Sequence, residues 1–242
     1  MKKCLQSSAF FVWLICSIPA HAATWALVQH ASTSNCGSPC TLTLTQNTTA
    51  GNIGIITTGF TSTGKTISAI SGGGTWIHPT CSGSGSGNGH SVDVWYILSL
   101  TGGVGSIQTT SSATQDFLEF TEYSNPNGGA FDVCAMRNAA SGTNLAGTSA
   151  GVLGGSNDVI LQFAVMGGTA SGCPNSAASP ADFPNGDAAC GLINSTNNAA
   201  GNYTNTAGSA AMGSIAIKEA SGGGTSVSPT NKRRRYDLVD EL

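Results

Sequence analysis

No segment of this chain keeps apolar residues at a helical spacing for three turns, whereas short runs with a period of two recur along most of it. The clearest is 91–100, where Val92, Val94, Tyr96, Leu98 and Leu100 alternate with Asp93, Trp95, Ile97 and Ser99. Such alternation puts successive side chains on opposite faces of a strand. Runs 53–60, 116–123, 158–165 and 213–219 predict strands in the same way, and 24–30, 41–46, 66–70, 105–110 and 131–134 predict weaker ones. Between them lie clusters such as Ser71-Gly72-Gly73-Gly74 and Asn125-Pro126-Asn127-Gly128-Gly129, which reverse a chain at low steric cost. The expected fold is therefore all-β: an antiparallel two-sheet β-sandwich, jelly-roll-like, with disulfides.

The start of the chain sets the compartment. Lys2 and Lys3 precede a short apolar stretch, and Ala20-His21-Ala22 has the small-x-small form that signal peptidase reads, so the mature chain is expected to begin at Ala23. The bulky residues Trp13 and Ile15 disfavour lipid attachment at Cys16. No later stretch is long and apolar enough to predict a membrane span, which takes about 20 residues.

Cys4 and Cys16 leave with the leader, and six cysteines remain: Cys36, Cys40, Cys81, Cys134, Cys173 and Cys190. An even number in an exported chain predicts disulfides. The preferred pairing clips Cys36 to Cys40 and closes the Pro-rich stretch 170–189 with Cys173–Cys190, which leaves Cys81 for Cys134. A second long loop is expected over 82–90, nearly all Gly and Ser and hence flexible. From residue 221 the composition turns to Gly and Ser and then to charge. The expected organisation is a 1–22 signal peptide, a 23–220 β-sandwich domain, and a 221–242 linker and charged tail.

Charge excludes one class of partner. Only 9% of the residues are charged, against about 25% in ordinary soluble proteins. Between leader and tail the cations are Lys65, Arg137 and Lys218, too few and too scattered to displace counterions from phosphates, so no nucleic-acid partner is expected.

Two motifs invite a catalytic reading and fail on context. Gly59-Phe60-Thr61-Ser62-Thr63-Gly64-Lys65-Thr66 satisfies the phosphate-loop pattern, but that chemistry needs a helix to begin at the lysine. Ile67-Ser68-Ala69-Ile70 instead runs into three glycines. Gly147-Thr148-Ser149-Ala150-Gly151 fits a nucleophile elbow, which requires a histidine later in the chain. His30, His78 and His90 all precede Ser149.

Other chemistry would rest on Asp93, Asp116, Glu119, Glu122, Asp132, Asp158, Asp182 and Asp187, two of which would have to face one cleft to cleave a glycoside. Asp182, Asn185 and Asp187 share one loop and admit a structural calcium; no other cofactor is expected. Trp25, Trp76 and Trp95 are candidates for stacking on sugar rings if exposed. Three Asn-x-Ser/Thr sequons, at Asn47, Asn194 and Asn202, read as turn residues.

Thr49-Ala50-Gly51-Asn52 before a core strand, Gly73-Gly74-Thr75-Trp76, Trp95-Tyr96, Gly102-Gly103 and Glu122-Tyr123-Ser124 follow one another in order. Phe131-Asp132-Val133 and Asn157-Asp158 come after them. Over roughly 24–220 this succession resembles β-sandwich modules of exported bacterial proteins, which look like lectin-type jelly rolls and have no assigned activity. The extra cysteines and the 170–189 insertion depart from that pattern. The expected function is a non-catalytic secreted, periplasmic or cell-surface module that binds an extracellular glycan or surface protein, or serves a structural or adhesive role. The rival expectation is a polysaccharide-acting enzyme with a carboxylate pair.

Overall fold

The computed structural model describes residues 24–143, 145–155, 157–195 and 201–220; the leader, the Ala23 start and the 221–242 tail lie outside the described residues. The chain is built of β1 (Ala26–Cys36), β2 (Cys40–Thr43), β3 (Ile53–Phe60), β4 (Ile67–Ser71), β5 (Ser82–Gly83), β6 (Ser86–Gly87), β7 (His90–Ile97) and β8 (Ser106–Ser111). There follow β9 (Gln115–Ser124), β10 (Gly129–Ala139), β11 (Asp158–Met166), β12 (Ala170–Gly172), β13 (Ala181–Asp182), β14 (Ala188–Ser195), β15 (Thr204–Asn205) and β16 (Ala210–Glu219). Helix among the described residues is confined to two short 3₁₀ turns, Pro174–Ser176 and Pro184–Gly186, and none is long and apolar enough to cross a membrane.

The strands form four sheets where two were expected: β1-β9-β3-β7-β6, β13-β14-β11-β16-β10-β5, β2-β8-β4 and β12-β15. All pairings are antiparallel except β5 with β10, where Ser82 and Gly83 run parallel to Ala135 and Met136. The pleat of the five-stranded sheet explains its composition. Ile53, Ile55, Val92, Val94, Tyr96, Phe117 and Tyr123 share a core with Val159, Leu161, Phe163, Val165, Ile215 and Ile217 of the six-stranded sheet. The intervening residues Ile56, Ile97, Leu118 and Phe120 join Leu42, Ile67 and Ile107 of the three-stranded sheet in a second core. Every residue of β3 is buried because the strand is covered on both faces.

Two expectations about loops need correction. The 82–90 segment is not a free Gly/Ser loop, since its β5 pairs with β10 and its β6 with β7. Its glycines serve close approach: a Cβ on Gly83, at φ +78°, would fall 2.1 Å from the Met136 carbonyl oxygen. The 170–189 insertion runs straight into β14, which pairs with β11, and its apolar residues Ala170, Ala177 and Ala188 pack with Leu145, Met166, Tyr203 and Met212.

Among the described residues three disulfides are formed, Cys36–Cys40, Cys81–Cys134 and Cys173–Cys190. Cys81–Cys134 spans 53 residues and ties the segment before β5 to β10. Closure of a loop that long restricts the unfolded chain most. Cys81→Ser/Cys134→Ser is expected to lower stability by about 4 kcal/mol and the melting temperature by about 10 °C, read by thermal unfolding. A change below about 1 kcal/mol would show that the bridge is incidental.

Candidate functional cleft

The cleft arises where a sheet edge is left incomplete. Beyond β7 the five-stranded sheet continues only through the two residues of β6 and a single bridge from Ile77 to Tyr96. The outward amides of β7 belong to Val92, Val94 and Tyr96. Val92 N–H donates to Gly85 O at 2.9 Å and Tyr96 N–H to Ile77 O at 3.0 Å. Between them Val94 N–H meets no strand and donates to Asp93 Oδ1 at 2.9 Å. This gap is a cleft of about 310 Å³, lined by Lys65, His78, Ser84, Ser86, Asp93 and Met136 among others.

Asp93 organises the cleft wall. It is 1% exposed, so its charge needs donors. Four converge on it: Val94 N–H, His78 Nε2 at 2.7 Å from Oδ1, Ile67 N–H at 2.8 Å from Oδ2 and Trp95 Nε1 at 3.3 Å from Oδ2. A carboxylate only accepts, so His78 presents Nε2–H to it and keeps Nδ1 for solvent or ligand. The hydrogen bond to Asp93, assisted by its charge and opposed by partial burial, raises the imidazole pKa. His78 lies on the Trp95 indole, ring centroids 4.7 Å apart at 26°, with 46% of its side chain exposed. A flat ring therefore stands at the cleft, held in orientation from below and from the side.

The phosphate-loop lookalike forms another part of the wall and has no phosphate-loop geometry. Residues 61–66 turn from β3 into strand β4, and no helix starts at Lys65. The loop amides are already taken. Gly64 N–H donates to Ser86 Oγ at 2.7 Å, Lys65 N–H to Ser91 Oγ at 3.1 Å and Thr66 N–H to Ser112 Oγ at 3.4 Å. The Lys65 ammonium itself has no protein partner among the described residues, whereas Lys218 is paired to Asp132 and Arg137 donates to Gly147 O. Ser149 lies in an irregular segment, and no helix begins between it and residue 155.

The tryptophans divide. Trp25 is 2% exposed and donates Nε1–H to Asn157 O; Trp76 is 9% exposed, donates to Gly72 O and meets Phe120 edge-on. Both are core residues, and neither offers a face to a sugar. Trp95 is partly exposed and bears His78.

Most carboxylates lie elsewhere. Glu122 is buried and accepts from Gln29, Thr49 and Asn52. Glu119 is buried beside the Thr121 hydroxyl, and burial pushes its pKa up to about 8. Asp187 accepts from Met166 N–H and is pushed up to about 9 by burial. Asp116 accepts from Asn185 Nδ2, and Asp182 from Phe183 N–H. Of the three loop residues that admit a calcium, Asn185 and Asp187 both neighbour Asp116, while Asp182 accepts from Phe183 N–H. No three acidic, histidine or cysteine side chains gather into a metal-binding group among the described residues. Among the described residues, Asp93 is the only carboxylate that lines the cleft.

No family model, no curated protein and no solved structure matches this chain.

Proposed function

We propose that the chain is an exported, jelly-roll-like β-sandwich module without catalytic activity that binds carbohydrate at the His78 cleft, at a cell surface or in the extracellular space. The observation that carries this reading is the His78–Trp95 stack at a cleft lined with hydroxyls. A pyranose presents an apolar C–H face and a rim of hydroxyls, which calls for a fixed flat ring beside adaptable polar groups. His78 supplies the ring, Ser84 and Ser86 the hydroxyls, and Lys65 an uncommitted ammonium. The volume stands at the low end of ligand sites, which suits a short saccharide or the end of a longer one. The reading without catalysis is supported at Asp93, whose two oxygens accept from four protein donors and so hold His78 in place instead of meeting a substrate. The three disulfides fit an extracellular setting.

A glycan array with the mature protein tests this, followed by titration of each hit. Saturable binding is expected, weakened about tenfold or more in His78→Ala and in Lys65→Ala. Lys65→Ala should melt like the parent, since the side chain has no protein partner among the described residues. An array without hits, or hits indifferent to both substitutions, refutes the reading.

A further inference from the structure

At the far end of the six-stranded sheet three ionisable side chains meet across adjacent strands. Phe131 pairs with Ile217 and Val133 with Ala216, so Asp132 is the extra residue of a β-bulge in β10. Lys218 of β16 pairs with Ala130 on one side and Asp158 of β11 on the other. Lys218 Nζ stands 3.1 Å from Asp132 Oδ1. Gly154 N–H donates to Asp132 Oδ2 at 2.6 Å. Side-chain exposure is 6% for Asp132 and 33% for Lys218, and Asp158 is wholly buried.

Two features make this more than a surface ion pair. Asp158 is 0% exposed; among the described residues no cation lies within ion-pair distance of its oxygens, and its polar neighbours are the Asp132 carboxyl and the Asn157 backbone. A buried carboxyl beside a second carboxyl is tolerable chiefly in its neutral form. Burial, with Asp132 as neighbour, raises it to about 6. For Asp132 the cost of burial is outweighed by the Gly154 amide and the Lys218 ammonium, which hold it below its usual value. The second feature is the cover. A Cβ on Gly154 would fall 2.6 Å from Asp132 Oδ1 and 3.0 Å from Lys218 Nζ, and one on Gly155 would fall 2.1 Å from Asp158 Oδ1. Bare backbone thus lies directly on the three groups, a fit that side chains would prevent.

We propose that Lys218 and Asp132 condense into an intramolecular isopeptide bond, made by the chain itself with Asp158 as the proton carrier. A proton passes from the Lys218 ammonium to the Asp132 carboxylate, which leaves a neutral amine against a neutral acid. The Nζ lone pair attacks Asp132 Cγ, and the displaced carbonyl electron pair rests on Oδ2, where the Gly154 N–H already points. Asp158 takes the second proton from nitrogen and delivers one to Oδ1. The Cγ–Oδ1 bond breaks, and one water leaves. Ammonium and carboxylate become an amide and water, with no change of oxidation state and no cofactor. The product ties β10 to its neighbour β16 by a covalent bond as well as by the sheet ladder.

Intact-mass measurement of the folded, exported protein tests this. The wild type is expected to weigh one water less than its sequence with three disulfides, while Lys218→Arg shows the full calculated mass. Tryptic mapping should find no cleavage after Lys218 and a branched peptide joining it to the one that holds Asp132. In Asp158→Asn, whose fold is checked by circular dichroism, the bond should form about a hundredfold more slowly or not at all. A wild type of full mass, cleaved after Lys218 even after days at pH 5 to 8, overturns the proposal. Water loss that persists in Lys218→Arg would place the chemistry elsewhere and overturn it as well. Neither readout involves the His78 cleft.

Discussion

Glu122→Ala is expected to destabilise the protein by about 3–5 kcal/mol and to lower its melting temperature by about 10 °C or more. Glu122 is 0% exposed, and among the described residues it forms no ion pair. Its charge is held by Thr49 N–H at 3.0 Å and Asn52 Nδ2 at 2.6 Å on Oε1, and by Gln29 Nε2 at 2.6 Å on Oε2. Gln29 Oε1 in turn accepts from Thr45 Oγ1 and Gln46 N–H. One carboxylate thus fastens the 45–52 connection onto the five-stranded sheet, and its removal strands three donors away from water. Glu122→Gln keeps one acceptor and should lose roughly half as much. Thermal unfolding of both variants checks the order; a loss below about 1 kcal/mol for alanine would mean that water replaces the carboxylate freely.

This hub shows why part of the pattern was readable. Thr49-Ala50-Gly51-Asn52 and Glu122-Tyr123-Ser124, two of the motifs quoted above, are donor and acceptor halves of one cluster. Strands with bulky alternation were legible for the same local reason: the 53–60 run corresponds to β3, and the 91–100 run covers all of β7 but its first residue. Strand β14 was not legible. Its Ala-Ala-Cys-Gly start lacks large side chains because backbone crowds it; a Cβ on Gly191 would fall 2.0 Å from Ser179 O. Period alone also could not show that the five-stranded sheet is covered on both faces, since burial of the second face depends on the distant strands β2, β4 and β8.

The cleft was less legible than the fold. Trp95 was among the stacking candidates, yet Trp25 and Trp76 looked equivalent to it in sequence and proved to be core. His78 carried no signal of its own. The usable clue was Asp93, an acid on an alternating strand of otherwise large apolar residues, which has to find donors wherever the fold supplies them. The Asp132–Lys218–Asp158 group was invisible because a bulge and two strand registers bring it together, and none of these is a local property.

The pH dependence of stability follows from the acids that the fold buries. Burial, reinforced by Asp182 and opposed by the Thr121 hydroxyl, raises Glu119 from 4.5 to about 8. Burial raises Asp187 from 3.8 to about 9, against the Met166 amide and with Asp116 beside it. Each folded-state pKa lies above its unfolded value, so the native chain holds protons that the unfolded chain releases from about pH 4 upward. Their contribution is complete below the unfolded values, falls as pH rises, and is gone above about 8 and 9. The slope reaches about 1.4 kcal/mol per pH unit for each group. Asp158, raised to about 6, acts in the same direction over a narrower range. Asp132 is lowered and loses its contribution only as pH falls through the acid range, below this window. His78 is raised and His90 is lowered by burial, so their contributions near neutrality oppose one another. Denaturant midpoints are therefore expected to fall steadily from pH 5 to 9. Glu119→Gln keeps the neutral form at every pH; it should match the wild type at pH 5 and exceed it at pH 9, with a visibly flatter curve. A wild-type midpoint that is level or rises across that range would show that Glu119 and Asp187 are ionised and solvated in the folded protein, which their burial opposes.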